Sequence, residues 1–298
     1  MNPSSRSPAE NAELALLLEV AATPKPGNVD RHREYPELRF EHFLAGAAGA
    51  RDGLERAADG EPLGTAFERA VAGMARQRGG NTQFGCLLLL VPLVKARADR
   101  SLTPTGVGAV TAATTVEDAV EFYRAFEHVE VAVSDLDRPA SAGDGRNTLP
   151  ADLDVRRGSE AIPAVRERGL SLAGIMELGA DHDANAREWV SGFPRTFDTA
   201  TAILNDEGSA PDRIARAFLG QLAAEPDSLI ATRHGVKRAR EVRDRAAVVR
   251  DRMESTDSES GIVEAFAEEL IEAGINPGTT ADIVAGGTYV ALERGLSV

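Results

Sequence analysis

Residues 11–23, NAELALLLEVAAT, set Leu14, Leu17, Leu18 and Ala21 three and four positions apart. A 3.6-residue repeat brings those side chains onto one face, so the stretch reads as a helix whose apolar stripe other elements must cover. The same period recurs outward along the chain. It returns over 40–58, with Phe43, Ala47, Ala50 and Leu54, and then over 63–77, 84–98, 116–126, 172–179, 184–190, 198–204, 212–224, 229–253, 262–273 and 280–293. The interruptions carry stop chemistry: Gly79-Gly80, Gly208, Glu225-Pro226, and Gly274 ahead of Asn276-Pro277-Gly278. Sustained alternation of period two is absent, and 129–133 (VEVAV) is the one short strand expected. No internal repeat is visible. The polar breaks at 140–147 and 254–260 read as surface loops, too short for domain linkers. The expectation is an all-α fold, a single compact domain of about a dozen helices over residues 1–298.

Composition narrows the function. The 298 residues hold 47 Asp+Glu against 33 Lys+Arg, a net charge of −14. A nucleic-acid partner is excluded, because such binders need positive charge to displace counterions from phosphates. Cys86 is the one cysteine, which excludes a disulfide framework and a four-thiolate zinc site; lying in an apolar run, it reads as core. That run, 86–94 with Pro92 inside it, is about half the ~20 residues of a membrane span. Residues 1–10 lack the apolar core of a secretory signal. A cytoplasmic, reduced protein with no membrane partner is expected. Lysine occurs at 25, 95 and 237 only, and the other thirty basic residues are arginines. Acidic, Arg-rich, Lys-poor composition suits a halophilic source, although GC-rich coding gives the same arginine excess.

Five short stretches carry glycines and polar groups that a helical core does not require. In Pro24-Lys25-Pro26-Gly27-Asn28-Val29-Asp30-Arg31, two prolines stiffen the loop and Gly27 allows close backbone approach. Lys25 is a point charge suited to phosphate and Asp30 a hard oxygen ligand suited to Mg²⁺; the plainer alternative is a rigid helix connection. Gly79-Gly80-Asn81-Thr82-Gln83-Phe84-Gly85 feeds a helix N-terminus, a ready anion site, or else is an ordinary cap by Asn81 or Thr82. Residues 186–194 offer Arg187 and Glu188, and 227–235 offer Asp227, Arg233 and His234; taken singly, both read as solvated helix surface. Residues 276–285 deliver Thr279 as a cap and Asp282 in the first turn, where it serves either a metal or the helix dipole.

Together these stretches resemble the triphosphoribosyl-dephospho-CoA synthase family. Its P-K-P-G-x-V-D is matched at 24–30, and its G-x-N-T-H-K-G is similar to 79–85. Its A-R-G-E-A-x-x-G-F-P resembles 186–194, one residue shorter here, while D-T-N-x-x-x-R-x-G and S-P-G-G-S-A-D-L-L-A resemble 227–235 and 276–285. The resemblance covers residues 10–295 and implies an all-α enzyme that moves the 5-triphosphoribosyl group of ATP to dephospho-CoA, or a related acceptor, with release of adenine. It implies Mg²⁺ as cofactor, held by Asp30, Glu188 or Asp282, with one of those carboxylates serving as base. It also implies nucleotide contacts from Lys25, Gly27, Asn28, Asn81, Thr82, Arg187, Arg233, His234 and Thr279. A homo-oligomer is allowed by the resemblance and not read from the residues.

The departures are specific. Gln83-Phe84 replaces a His-Lys pair, Ser228-Leu229 replaces Thr-Asn, and Thr279-Thr280 replaces Gly-Ser, which points to altered acceptor recognition. Two other classes compete. Asp181-His182-Asp183, with His128 and Asp198 or Asp227, suits a helical metal phosphohydrolase. A helical protein that binds a nucleotide without turning it over is the other. Trp189 and Phe193 read as buried aromatics rather than adenine stackers, and 236–252 as a solvated helix.

Overall fold

Ser7 and Glu10 bond each other's backbone N–H groups in a capping box and so start helix α1 (Pro8–Ala21). The computed structural model describes residues 6–132, 150–253 and 260–298. Within them follow α2 (Phe40–Ala58), α3 (Leu63–Met74), α4 (Phe84–Ala98), α5 (Pro104–Ala112), α6 (Val116–Ala125), α7 (Ile162–Arg168) and α8 (Leu172–Gly179). Then come α9 (Ala184–Ser191), α10 (Pro194–Asn205), α11 (Ala210–Ala224), α12 (Ser228–His234), α13 (Val236–Met253), α14 (Ser260–Glu272) and α15 (Gly278–Glu293). The fold is all-α, as the periodicity requires.

Two helices form the centre. Residues 86–94 of α4 and 283–292 of α15 are buried on every side, the pattern of a helix surrounded by other helices. α15 packs against α1, α4, α10 and α11, while α2 and α3 pair outside α4. Pro92 sits in the middle of α4 and has no N–H, so the Leu88 carbonyl four residues back loses its helical donor. The indole Nε1 of Trp189 on α9 donates to that carbonyl at 2.9 Å. The proline therefore creates the acceptor by which α9 docks onto α4. Trp189 and Phe193 are core residues, as expected.

The structure corrects three details. Residues 129–132 form no strand, and Val133 lies outside the described residues. The helix expected over 229–253 is two, broken at Gly235, whose φ of +86° is left-handed and stops α12. α5 and α7 were not anticipated; α5 buries Val107 and Thr111 only and so shows no apolar stripe. The breaks at 140–147 and 254–259 lie outside the described residues, and Ser260 opens α14.

Candidate active site

Four helices begin at one pocket. The first turns of α4, α9, α12 and α15 bring Gly85 and Cys86, Asn185 and Ala186, Ser228 and Leu229, and Gly278 and Thr279 to a cavity of about 290 Å³. Helix starts carry unpaired N–H groups and the positive dipole end, which in a chain of net charge −14 makes this an anion-tolerant place. On α9 and α12 aspartates take up part of that charge. Asp183 accepts from the N–H groups of Asn185 (2.7 Å) and Ala186 (3.2 Å), and Asp227 from Ile230 (3.0 Å). At α4 and α15 the N-cap residues, Gln83 and Pro277, make no such bond, but Asn81 Oδ1 accepts from the Phe84 N–H at 3.0 Å, as an ordinary cap would, and Asp227 from the Thr280 N–H at 2.7 Å.

All five polar stretches reach this pocket. Asn28, Asn81, Thr82, Arg233 and Thr279 of the expected nucleotide contacts line it, as does Asp282 of the expected base and metal carboxylates. They are cross-tied: Asn28 Nδ2 donates to Asn276 Oδ1 at 3.0 Å, and the Ser228 and Thr279 hydroxyls are 2.9 Å apart. Asp227 is buried and bonds both the N–H (2.7 Å) and the hydroxyl (2.8 Å) of Thr280, fixing α12 against α15. The far wall is apolar, built from Phe84, Phe122, Phe126, Ile175 and Met176. The Phe84 and Phe126 rings lie 4.8 Å apart and those of Phe122 and Phe126 5.2 Å. Of the Gln83-Phe84 pair, Phe84 thus adds its ring to the pocket. Gln83 is buried, its N–H against the Met74 sulfur at 3.2 Å.

Asp282 is the pocket's central carboxylate. Its Oδ2 accepts from Asn185 Nδ2 at 2.8 Å and its Oδ1 from the Cys86 thiol at 3.2 Å. Burial pushes its pKa up to about 7; Asn185 and Cys86 pull it down, and the Asp227 and Asp183 charges add to the rise. Gly85 makes room for it, since a Cβ there would overlap the Asp282 carboxylate and stand 2.7 Å from Asn185 Nδ2. Cys86 is therefore more than core: it is buried, and it also faces the pocket and holds Asp282. Sequence reading did not single out Asn185; Asp183 entered only with the phosphohydrolase set and Gly85 only as the end of the 79–85 stretch. Asn185 shares its helix face with Trp189, four residues on, so the period that buries the indole could have flagged a polar residue turned inward.

Other expected residues stand behind the pocket or outside it. Lys25 is fully buried; its ammonium pairs with Glu19 and donates to Asn28 Oδ1 at 2.9 Å, so it supports Asn28 and does not itself line the pocket. Gly27, at φ +72°, lies against the Ile275 carbonyl, and both its own carbonyl and that of Ile275 accept from the Tyr35 hydroxyl, at 2.7 and 3.2 Å. Asp30 accepts five hydrogen bonds: from Thr23 Oγ1, the N–H groups of Lys25, His32 and Arg33, and the Arg33 guanidinium. Glu188 is buried and caps α10, accepting from the Arg195 N–H (3.2 Å) and from the N–H (2.9 Å) and hydroxyl (2.7 Å) of Thr196. Burial lifts its pKa despite those bonds. Arg187 is exposed and pairs with Glu225 at 3.3 Å, and His234 is exposed. Neither Asp30 nor Glu188 lines the pocket, and among the described residues no three His, Cys, Asp or Glu side chains gather as a metal cluster. Of the phosphohydrolase set, His182 and Asp183 line the pocket, while His128 is bonded to Glu68 at 2.6 Å and Asp227 to Thr280.

The family model CitG, ATP:dephospho-CoA triphosphoribosyl transferase, matches residues 5–297. A solved structure from Archaeoglobus fulgidus, described as that of a proposed triphosphoribosyl-dephospho-CoA synthase, shares the fold. Its TM-score is 0.66 at 23% identity, covering 85% of this chain and 100% of that one. No curated protein sequence matches the chain. With a match running over nearly all 298 residues and five separated stretches meeting in one pocket, the chain belongs to the ATP:dephospho-CoA triphosphoribosyl transferase family.

Proposed function

We propose that the pocket transfers the 5-triphosphoribosyl group of ATP to a hydroxyl of dephospho-CoA, or of a related nucleotide acceptor, and releases adenine. The observation that carries this reading is the convergence of stretches from residue 28 to residue 282 on a cavity with an anion-tolerant end and an aromatic wall. The reaction needs a seat for the triphosphate, an apolar slot for the departing base, and an acceptor for the proton of the attacking hydroxyl. Arg233, with the N–H groups at the starts of α4 and α15 that Asn81 and Asp227 do not take, suits the phosphates. The rings of Phe84, Phe122 and Phe126 suit adenine. Asp282 suits the proton: a carboxyl whose pKa lies at about 7 is poised between its two states near neutral pH. The bond from the acceptor oxygen to the anomeric carbon forms as the bond to adenine breaks, and the proton lost by the hydroxyl balances the one adenine gains.

Mg²⁺ belongs to this proposal through the triphosphate, whose charge it would partly neutralise. Asp30 and Glu188 do not fit such an ion, because their oxygens are committed to five and three donors. Asp183 fits better: it lines the pocket and spends Oδ1 alone on its cap, leaving a hard oxygen to share an ion with phosphates. Incubation with ATP, Mg²⁺ and dephospho-CoA, followed by mass analysis, tests the reaction. Free adenine and a triphosphoribosylated acceptor are expected. Formation of ADP, AMP or phosphate without adenine would replace transfer with phosphoryl chemistry.

A further inference from the structure

The Asn185 side chain is buried at 6% exposure and lines the pocket, yet it is half used. Its Nδ2 donates to Asp282 Oδ2 at 2.8 Å, while its Oδ1 has no partner. With Asp282 ionised, only the NH₂ end of the amide can face it, which fixes the orientation. A buried acceptor without a donor costs free energy comparable to a lost hydrogen bond, so it marks a place where a ligand donor belongs. Beside it, the Asp282 carboxylate is pinned at both oxygens, by Asn185 and by the Cys86 thiol, and each oxygen keeps a further lone pair. Two rigidly joined residues of the cavity wall thus hold neighbouring acceptors. Phosphate is unsuited to that spot, having no hydrogen to give and a like charge. The matching ligand carries two adjacent hydroxyl donors.

We infer that Asn185 and Asp282 form a subsite for the vicinal diol of a ribose. One hydroxyl donates to Asn185 Oδ1 and its neighbour to Asp282, the same recognition by which an acidic side chain holds a nucleotide ribose elsewhere. Asn185 is then a positioning residue that sets the diol against the carboxylate. This deepens the transfer reading and rests on its premise that the pocket takes nucleotides. Adenine's amino group also offers two hydrogens, but the aromatic wall, built by other residues, is the place for the base.

Both ATP and dephospho-CoA carry a ribose diol, so the test has an arm for each. Calorimetric affinities of the wild-type protein are compared for each nucleotide and its 2′-deoxy and 3′-deoxy forms. For the nucleotide that occupies the subsite, loss of one hydroxyl is expected to weaken binding about tenfold. Asn185→Ala is expected to weaken the ribo form by a similar factor and to make ribo and deoxy forms nearly equal. Equal wild-type affinity for ribo and deoxy forms in both arms overturns the subsite, as does an Asn185→Ala protein that weakens both forms alike. If Asn185→Ala is insensitive to the 6-amino group of the base, which wild type senses in an ATP–ITP comparison, the amide reads adenine and the diol assignment also falls. Diol-dependent binding without adenine release would support the subsite while removing the transfer reading.

Discussion

Glu19 and Lys25 form an ion pair from which water is excluded, their side chains 3% and 0% exposed. Lys25 also reaches Asn28, so the pair is the floor on which a pocket residue stands. Lys25→Met should destabilise the protein by about 3–5 kcal/mol, because Glu19 is left buried without a counter-charge. Adding Glu19→Gln should recover much of that loss. Lys95, which donates to the carbonyls of Gly60 and Glu61 near the surface, should tolerate Met at a cost of about 1 kcal/mol. Urea unfolding of the wild type and the three variants checks the ordering, and a stable Lys25→Met protein would show that the pair is dispensable.

Asp282 gives a pH dependence of definite sign. Its carboxyl titrates at about 7 in the fold against 3.8 as the ordinary value, so between those limits the folded chain holds a proton that the unfolded chain has released. The contribution of Asp282 to stability therefore falls as pH rises from about 4 to 7. Asp282→Asn removes that contribution. Its melting temperature relative to wild type should climb by several degrees between pH 4.5 and 8. A constant difference across that range would show that Asp282 titrates normally.

Gly85 separates function from stability. Gly85→Ala puts a methyl group into the Asp282–Asn185 contact, so the carboxylate must move. A displacement of that order costs about a hundredfold in a positioned reaction. Gly220, in α11, has open space where its Cβ would lie, and Gly220→Ala should stabilise the helix by about 0.5–1 kcal/mol with turnover unchanged. Adenine release and melting temperature on both variants provide the comparison. Normal turnover in Gly85→Ala would detach Asp282 from the reaction.

Glu188 should behave as a cap. Glu188→Ala strands two buried N–H groups and the Thr196 hydroxyl, which costs about 2–4 kcal/mol. Glu188→Gln keeps an acceptor and should retain turnover within about threefold when assayed below its melting temperature. A folded Glu188→Gln protein that releases no adenine would return Glu188 to the list of candidate bases.

The helices were legible because burial imposes a local period. The limits of α2, α4 and α8 coincide with the sequence reading: Phe43 to Leu54 repeat at helical spacing, and Leu87 to Val94 form an unbroken apolar run. The break at Gly235 was not legible, because the apolar pattern continues through it and only the backbone angle marks the stop. Within the site, Asn28, Asn81, Thr82, Arg233, Thr279 and Asp282 could be gathered because each sits in a short glycine- or proline-marked stretch. Asn185 sits in none of them. Its meaning comes from Asp282, 97 positions later, and no local spacing encodes that pairing. Lys25, Asp30 and Glu188 show the converse limit: a charged residue in such a stretch looks alike in sequence whether it faces the ligand or holds up the residue that does.

Pro92 gives the bundle an address. Apolar helices slide past one another at small cost, because one leucine face resembles the next turn. A carbonyl stripped of its own donor does not slide: Trp189 reaches Leu88 and no neighbouring turn offers an equivalent acceptor. A slip of α9 by one turn along α4 would leave an indole N–H and a carbonyl both unanswered in an oily interior, and it would carry Asn185 about 5 Å from Asp282. One missing hydrogen in the middle of α4 thus acts as a ruler for where α9 sets Asn185, and so for its spacing to Asp282 on α15.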